Sequence, residues 1–295
     1  MFQYAKLQSI PSTIFFGNCP SVTKLSVRLQ LCKEEYVERK TYTARLVDKL
    51  LLSESAQCYH LEFEVPELEK FSFDAGQFVS MVAIDSSGKH QTRAYSTASA
   101  PRANRFDLCV NRVEAGFFSN LLCDLELDAT VEFHGPHGLF VLRPPLMDTI
   151  MIATGTGVAP MRGFVEHLFP SATEDRSEGK HFWLVYGTRY QSEIYYQQYF
   201  EKIAAEHPNF HYLPTLSRPH EDWDGLRGYV QTHVQEVLKE GPLHVPENTP
   251  NSTENNAGPQ LCAYICGLNE MVSANREQLK ELGWDRKQIH FERYD

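Results

Sequence analysis

Two stretches of the chain combine residue types that could hold a flat, phosphorylated ligand. The first, residues 93–99, reads RAYSTAS, and its arginine could pair with a pyrophosphate through two parallel hydrogen bonds. Strand alternation places Tyr95 on the same face as Arg93, so the phenol ring could lie against a heterocycle. Ser96 adds a hydroxyl that can both donate and accept a hydrogen bond. Taken alone, this run is more typical of a polar edge strand.

The second stretch, residues 148–164, reads DTIMIATGTGVAPMRGF. Its apolar residues 150–153 predict a buried strand, Gly155 and Gly157 predict a tight turn, and Pro160 predicts the first position of a helix. Such a turn lets backbone N–H groups approach a pyrophosphate at the positive end of the helix dipole. The third glycine of the Rossmann fingerprint is absent, so an ordinary strand-to-helix turn remains an open alternative.

Composition limits the classes of function. The length of 295 residues suits two domains, and the formal net charge of −10 argues against a nucleic-acid partner. No apolar run is long enough to cross a bilayer. The seven scattered cysteines have neither disulfide-framework nor zinc spacing, which favours a reducing compartment. His134 and His137 are close, but no third ligand type is nearby, so we expect no metal site.

Residues 1–40 differ from the remainder of the chain. No acidic residue precedes Glu34, and basic and hydroxyl side chains are frequent, as in an organelle transit peptide. A disordered tail, or upstream sequence included by a misassigned start, are the alternatives. We therefore expect a cytoplasmic location, or an organelle stroma or matrix if residues 1–40 are a transit peptide.

The remaining residues divide into two patterns of secondary structure. Strand patterns at 41–52, 58–65, 77–84, 91–96, 106–113 and 130–133, with one amphipathic segment at 117–125, predict an antiparallel barrel or sandwich. After Pro144 and Pro145, strands alternate with helices. The strands are at 149–154, 181–186, 210–216, 261–266 and 288–294, and the helices at 161–168, 192–206, 229–239 and 269–282. This order predicts a parallel sheet, with a mobile surface loop at 241–259.

Nine short motifs, in order, resemble the ferredoxin–NADP reductase family. They are RAYSTAS at 93–99, LCVNRV at 108–113, GFFSNLLCDL at 116–125, GTGVAPMRGF at 155–164, VYGTR at 185–189, SRP at 217–219, GYVQ at 228–231, YICGLNEM at 264–271 and HFERY at 290–294. The resemblance covers roughly residues 41–295. It implies a six-stranded antiparallel β-barrel that holds FAD, at 41–146, followed by a Rossmann-like α/β parallel-sheet domain for NADP, at 147–295.

The resemblance also implies which residues form the site. Their side chains are of the kinds that hydride transfer between two flat rings in contact requires. Ser96 and Glu292 would form a hydrogen-bonded chain near flavin N5, Cys266 would lie beside the nicotinamide, and Tyr294 would stack on the flavin. The flavin cofactor would be held by Arg93, Tyr95, Ser96, Thr97, Cys109, Val110, Asn111, Gly116, Phe118, Ser119 and Asn120. The nicotinamide nucleotide would contact Thr156, Gly157, Pro160, Ser217, Arg218, Arg227, Tyr229, Gln231, Gly267, Leu268 and Met271.

The choice between NADP and NAD depends on the end of the second parallel strand and on residues 217–231. An NAD site usually places an acid after that strand, but the strand ends YGTR. Ser217, Arg218 and Arg227 resemble the family's 2′-phosphate clamp, and Tyr229 resembles its adenine-stacking ring. We therefore expect NADP. NAD stays open, because relatives that use NADH can also show an Arg-Pro pair here.

The expected function is electron transfer between NADP(H) and a one-electron carrier such as ferredoxin or flavodoxin. The chain has no C-x₄-C-x₂-C spacing, so the carrier must be a separate chain, and an acidic ferredoxin would need a local basic patch. Two features depart from plastid members: residues 111–116 lack the insertion that stacks on the FAD adenine, and Asp295 follows Tyr294. The alternatives are an NADH-dependent reductase component of an oxygenase, a flavin- and nucleotide-binding subunit of a larger electron-transfer complex, or a binding module without activity.

Overall fold

The structure is a computed structural model that describes residues 40–240 and 261–294. Its first sheet is antiparallel and has the strand order β4-β3-β6-β1-β2-β5. These strands are β1 (Tyr42–Ser53), β2 (Cys58–Glu64), β3 (Phe78–Ile84), β4 (His90–Ser96), β5 (Arg105–Asn111) and β6 (Thr130–His137). A bridge between Thr97 and Leu108 joins the segment after β4 to β5 and closes the sheet into a barrel.

The barrel is filled by the apolar side chains that alternate along its strands. On β2, Tyr59, Leu61 and Phe63 pack into this core, as period-two alternation requires. Aromatic rings dominate the centre, where the ring centroids of Phe106 and Phe133 are 5.0 Å apart. Helix α1 (Phe117–Asp124) packs against this core between β5 and β6. The expected six-stranded antiparallel barrel is confirmed.

The second sheet is parallel and has the strand order β10-β9-β8-β7-β11-β12. Its strands are β7 (Asp148–Thr154), β8 (Phe182–Thr188), β9 (Phe210–Leu216), β10 (Leu226–Arg227), β11 (Leu261–Leu268) and β12 (Ile289–Tyr294). Helices α2 (Val158–Leu168) and α3 (Gln197–Glu206) cover one face, and α4 (Val230–Glu240) and α5 (Asn269–Glu281) cover the other. Strands β8 and β11 flank β7 on opposite sides, so the strand order reverses between β7 and β11. Sheets of this kind bind ligands at the carboxyl ends of the strands where the order reverses.

Two local predictions were wrong, and one short strand was missed. The helix expected at 192–206 begins at Gln197, because Tyr196 takes a left-handed backbone (φ 60°). Pro160 is the third residue of α2 rather than the first, a position in the first turn where its missing N–H is still harmless. The short strand β10 was not predicted, since two residues carry no periodic pattern.

Several predictions concern residues that lie outside the described part of the chain, namely residues 1–39, the loop at 241–259 and Asp295. Within the described ranges, none of the helices is both long and apolar enough to span a membrane. The same residues contain no group of three or more metal-ligating side chains. His134 Nδ1 and His137 Nε2 lie 2.7 Å apart in a hydrogen bond.

Candidate active site

A cleft with a volume of about 1470 Å³ lies where one side of the barrel meets the carboxyl ends of the parallel strands. Most of the residues expected to bind cofactors or act in catalysis line it. They are Arg93, Tyr95, Ser96, Cys109, Asn111, Gly116, Phe118, Ser119, Thr156, Ser217, Arg218, Tyr229, Gln231, Gly267, Leu268, Met271, Glu292 and Tyr294. Residues from the barrel and from the parallel-sheet half therefore share one cavity of a size that suits two dinucleotide-like ligands.

Three of the expected flavin contacts lie beside the cleft rather than in its lining. The Thr97 hydroxyl donates to the Gln77 carbonyl oxygen at 2.8 Å, which fixes the backbone just after Ser96. Val110 is part of the barrel core. Asn120 donates to the Gly116 carbonyl at 2.6 Å and holds the turn before α1. All three support the cleft wall through backbone or core contacts.

The remaining expected residues of the parallel-sheet half lie directly behind the cleft, apart from Arg227. Gly157, Pro160 and Cys266 are buried. A Cβ on Gly157 would lie 2.6 Å from the carbonyl carbon of Cys266, so only glycine lets the start of α2 approach β11 this closely. Gly155 has a φ of 53° and open space where a Cβ would project, so it needs glycine for its conformation and faces the cleft.

Ser96 and Glu292 form the hydrogen bond that links the two sheets inside the cleft. The Ser96 hydroxyl donates to Glu292 Oε2 at 3.0 Å, although the two residues are 196 positions apart. Burial raises the pKa of the Glu292 carboxyl above its ordinary value of 4.5, and the Ser96 hydrogen bond partly opposes that rise. The pair is thus a hydroxyl and a carboxyl able to hold a proton at a higher pH than an exposed glutamate.

Cys266 and Tyr294 flank this pair. In the register of β11 and β12, Cys266 lies opposite Glu292 and Leu268 lies opposite Tyr294. The Cys266 side chain is fully buried, and burial raises the pKa of its thiol, so it stays protonated and acts as a small packing group. Burial likewise raises the pKa of the Tyr294 phenol, with the Cys266 thiol adding to the rise. These groups give a dry surface rather than a reactive nucleophile.

The turn before α1 presents backbone to the cleft. Gly116 is the N-cap of α1 and carries no side-chain cap, which leaves the first N–H groups of the helix available to an anion. The Ser119 hydroxyl accepts from the Val113 backbone N–H at 3.1 Å and so holds the turn in place. Phe117, the first residue of α1, also lines the cleft with 39% of its surface exposed. Phe117 was not predicted as a site residue, although an aromatic side chain next to a glycine at a helix start can be recognised from the sequence.

Arg189 is a second lining residue that the sequence analysis did not assign. It directly follows β8, at the position where an NAD site carries an acid. The backbone N–H of Arg218 donates to the Arg189 carbonyl at 2.9 Å, which holds the two residues side by side. Arg227 is placed differently, because its guanidinium donates to the carbonyls of His220, Glu221 and Trp223 in its own loop.

The chemistry of the lining fits FAD and a nicotinamide nucleotide. Buried side-chain atoms without a hydrogen-bond partner are rare in proteins, yet three residues that line the cleft carry one: Asn111 Oδ1, Thr154 Oγ1 and Gln231 Oε1. Four arginines also line it on a chain of net charge −10, namely Arg93, Arg189, Arg218 and Arg293. Guanidinium groups donate to phosphates, and amide and hydroxyl oxygens without a partner can accept from ribose hydroxyls and ring N–H groups.

Comparison with known proteins agrees with this chemistry. The model of the oxidoreductase FAD-binding domain matches residues 43–142, and that of the oxidoreductase NAD-binding domain matches residues 151–277. Ferredoxin–NADP reductase B of Sorangium cellulosum is 38% identical over 262 residues, which are 88% of this chain and 100% of the relative. The ferredoxin–NADP reductase of a Picosynechococcus species is 31% identical over 285 residues, 89% of this chain and 63% of the relative.

A solved structure supports the fold separately. The ferredoxin NADP+ reductase from Neisseria gonorrhoeae with bound FAD and NADP has a TM-score of 0.68 at 20% identity, and the match covers 87% of this chain and 99% of that one. Its likeness concerns the arrangement of barrel and parallel sheet. Because both domain models match in order and a relative is 38% identical over its whole length, the chain belongs to the ferredoxin–NADP reductase family of flavoenzymes.

Proposed function

We propose that this protein carries electrons between NADP(H) and a separate one-electron carrier, a ferredoxin or a flavodoxin. As a member of its family the chain is an oxidoreductase with FAD and NADP as cofactors. The bound flavin supplies the chemistry that links a two-electron hydride to single electrons. The chain supplies binding, orientation and a place for the accompanying proton.

The hydrogen bond from Ser96 to Glu292 is the observation that carries this proposal. It joins the last residue of a barrel strand to the last strand of the parallel sheet at 3.0 Å, in the cleft that both halves line. Ser96 can present or receive a proton at the ring edge, and Glu292 can exchange that proton through Oε2. A protein that only stored the two cofactors would not need a partly buried carboxyl with a raised pKa at this point.

The groups around this pair exclude water and set the approach of the nicotinamide. We assign Cys266 to packing beneath the nicotinamide ring and Tyr294 to covering the flavin until the nicotinamide enters. Gly157 brings the N-terminus of α2 against β11, so backbone N–H groups can face the nucleotide phosphates. Neither Cys266 nor Tyr294 needs to ionise for these roles, in keeping with the raised pKa of each.

We assign NADP(H) rather than NAD(H) as the nucleotide. Arg189 and Arg218 stand side by side where β8 and β9 end, and Ser217 adds a hydroxyl next to them. Two guanidinium groups and a hydroxyl suit a 2′-phosphate, whereas a free ribose 2′-OH is usually bound by an acid. Tyr229 exposes 73% of its surface next to them and is placed to stack on the adenine. Arg227 would brace its own loop instead of contacting the phosphate.

We propose that the protein is located in the cytoplasm, a reducing compartment in which its cysteines stay as free thiols. The Sγ atoms of Cys58 and Cys109 lie 3.7 Å apart in the barrel wall and are not bonded to each other. We place the boundary between the FAD-binding and NADP-binding parts in the connection between β6 and β7, near residue 146.

Purification of the full chain tests the proposed function. We expect a yellow protein with a flavin absorption spectrum that bleaches when NADPH is added without oxygen. The reduced protein should then reduce ferredoxin or flavodoxin, with NADPH giving a much higher kcat/KM than NADH. A colourless protein that takes up no FAD would contradict the proposal, and a strong preference for NADH would overturn the assignment of Arg189 and Arg218.

A further inference from the structure

A buried ionic cluster lies behind the cleft, between the barrel and α2. The Asp107 carboxylate, on β5, is fully buried. Arg102, from the turn before β5, lies 2.5 Å from Asp107 Oδ1, and Arg162, from α2, lies 3.2 Å from Oδ2. Arg162 also donates to the carbonyl of Ala98. A single guanidinium therefore links α2 to two separate segments of the barrel.

The Arg162 side chain is closely packed and only 13% exposed. Its guanidinium lies between the rings of Tyr196 and Tyr199, at 5.1 Å and 5.0 Å from their centroids. Glu166, one turn further along α2, lies 3.6 Å away. A planar cation packed in this way holds its two hydrogen-bonding partners in a defined direction, which a flexible ammonium group would not do.

Tyr196 reaches this position through an unfavourable backbone conformation. Its φ of 60° is uncommon for a bulky residue and is energetically unfavourable. The conformation directs the phenol towards the barrel, where its hydroxyl meets His60 Nδ1 at 3.0 Å. Conformations of this kind persist where surrounding contacts compensate for them, and here those contacts come from His60 on the barrel and Arg162 on α2.

The barrel partners of Arg162 are next to the residues that line the cleft. Ala98 follows Ser96 by two positions, and Asp107 precedes Cys109 by two positions. Arg162 itself belongs to the first half of α2, whose start we assigned to the nucleotide phosphates. The neighbouring Gly163 has no room for a Cβ, which would lie 2.9 Å from the Ser99 carbonyl oxygen. The helix and this barrel segment are thus in direct contact.

We propose that Arg162 is a positioning residue for hydride transfer, because its guanidinium sets the distance between the helix that holds the nicotinamide nucleotide and the strands that hold the flavin. This inference rests on the proposed function. Arg102 pairs with the same carboxylate from the turn before β5, so it can balance the charge of Asp107. Its contact with α2 is the longer one, 3.8 Å from its Nε to Glu166 Oε1. What Arg162 adds is a direct link from α2 to Ala98 and Asp107, the barrel positions next to the residues that line the cleft.

Stopped-flow reduction of the bound FAD by NADPH tests the role of Arg162. We expect Arg162→Met to slow hydride transfer about 100-fold, the size of effect that a misplacement of about 1 Å produces. The KM for NADPH should change little, since Arg162 is outside the cleft lining. The long-wavelength charge-transfer absorption of the stacked nicotinamide and flavin should weaken. Arg162→Lys keeps the positive charge but loses the planar guanidinium that can donate two hydrogen bonds. Its rate of hydride transfer should therefore lie between those of wild type and Arg162→Met.

A second pair of variants separates positioning from stability. Arg162→Met leaves the buried Asp107 with one cation fewer, so its free energy of unfolding should fall. The double variant Asp107→Asn/Arg162→Met removes both buried charges, and we expect it to recover stability while hydride transfer stays slow. Arg105→Met is the matched control, because Arg105 pairs with Glu62 at 2.7 Å on the same part of the barrel surface without touching α2. Its rate should equal that of wild type.

Hydrogen exchange of the cofactor-free protein gives a readout that does not depend on turnover. Amides in residues 98–111 should exchange faster in Arg162→Met and at the wild-type rate in Arg105→Met. Arg162 bonds this segment to α2 at Ala98 and Asp107, alongside the bond from the Ala100 N–H to Glu166, whereas Arg105 pairs within the barrel. If wild type fails to oxidise NADPH, the proposed function is wrong, and the exchange data still decide whether Arg162 makes the link. Unchanged hydrogen exchange in Arg162→Met would overturn the inference. A wild-type rate of hydride transfer with a wild-type charge-transfer band in Arg162→Met would also overturn it. So would a rate of hydride transfer that falls only in proportion to the FAD lost from the variant.

Discussion

Glu292 combines two properties at a single residue. Its carboxyl is partly buried, which raises its pKa, and it accepts a hydrogen bond from Ser96, which partly opposes the rise. The net direction is upward from 4.5, so the carboxyl keeps its proton to a higher pH than an exposed glutamate does. A group of this kind can take up and release a proton under conditions in which an ordinary carboxylate stays ionised.

Replacement of Glu292 by glutamine tests this role. The amide keeps an acceptor for Ser96, so we expect FAD binding to persist while hydride transfer slows about 100-fold. The rate of wild type should change as pH rises through the raised pKa of Glu292, and Glu292→Gln should lack that inflection. Glu281→Gln makes the same change of charge at an exposed position on α5 and serves as the control. An inflection that survives in Glu292→Gln would contradict the assignment.

Residue types could be predicted from the sequence better than the partners of those residues. Ser217, Arg218 and Arg227 were expected together at a phosphate, and Ser217 and Arg218 do line the cleft. The guanidinium of Arg227 instead meets backbone carbonyls of its own loop, including that of Trp223. Local pattern cannot reveal such a contact, because it depends on how an irregular loop folds back. Arg189 was not assigned either, although it ends the motif at 185–189 and its place directly after β8 follows from the strand pattern.

The turn from β7 to α2 shows two different uses of glycine within one element. At Gly157 the backbone is ordinary and the limit is space, since a Cβ would overlap the Cys266 carbonyl. At Gly155 space is open and the limit is the positive φ of 53°. We expect Gly157→Ala to lower the free energy of unfolding by about 2–3 kcal/mol and Gly155→Ala by about 1 kcal/mol. Denaturant titration of both variants measures the difference, and equal losses would refute the steric explanation.

The start of α3 shows why an element boundary could not be read from the sequence. Residues 192–206 carry a continuous helical pattern, with tyrosines, glutamines and glutamates in helical spacing. The helix nevertheless begins at Gln197, after the left-handed Tyr196. The partners that stabilise that conformation, His60 and Arg162, come from β2 and α2. His60 is 136 positions away from Tyr196 in the sequence. Such tertiary contacts override the local helix propensity.

For the molecule as a whole, the sequence predicted the elements but not how they pair. The strands of both sheets and their order along the chain were expected, whereas the neighbours in each sheet follow only from long-range contacts. The outward face of β2 is the clearest case. Alternation predicts Cys58 and His60 to be solvent-facing, yet both are buried, because residues of the other half, Tyr195 and Tyr196, pack over this face. The alternation of residues along one strand does not show which other part of the chain will pack against its outer face.

This buried interface makes the stability of the whole molecule sensitive to acid through His60. Burial lowers the pKa of His60 from 6.5 to about 4, and the charges of Arg162 and Arg102 act in the same direction. A depressed folded-state pKa contributes stability that is complete above 6.5 and is lost as pH falls towards 4, about 3 kcal/mol for this shift. In His60→Gln the free energy of unfolding should therefore fall less between these pH values than in wild type, while His220→Gln, an exposed control, should follow wild type. Chemical denaturation at a series of pH values gives the slopes, and parallel slopes for wild type and His60→Gln would show that protonation of His60 does not open the interface.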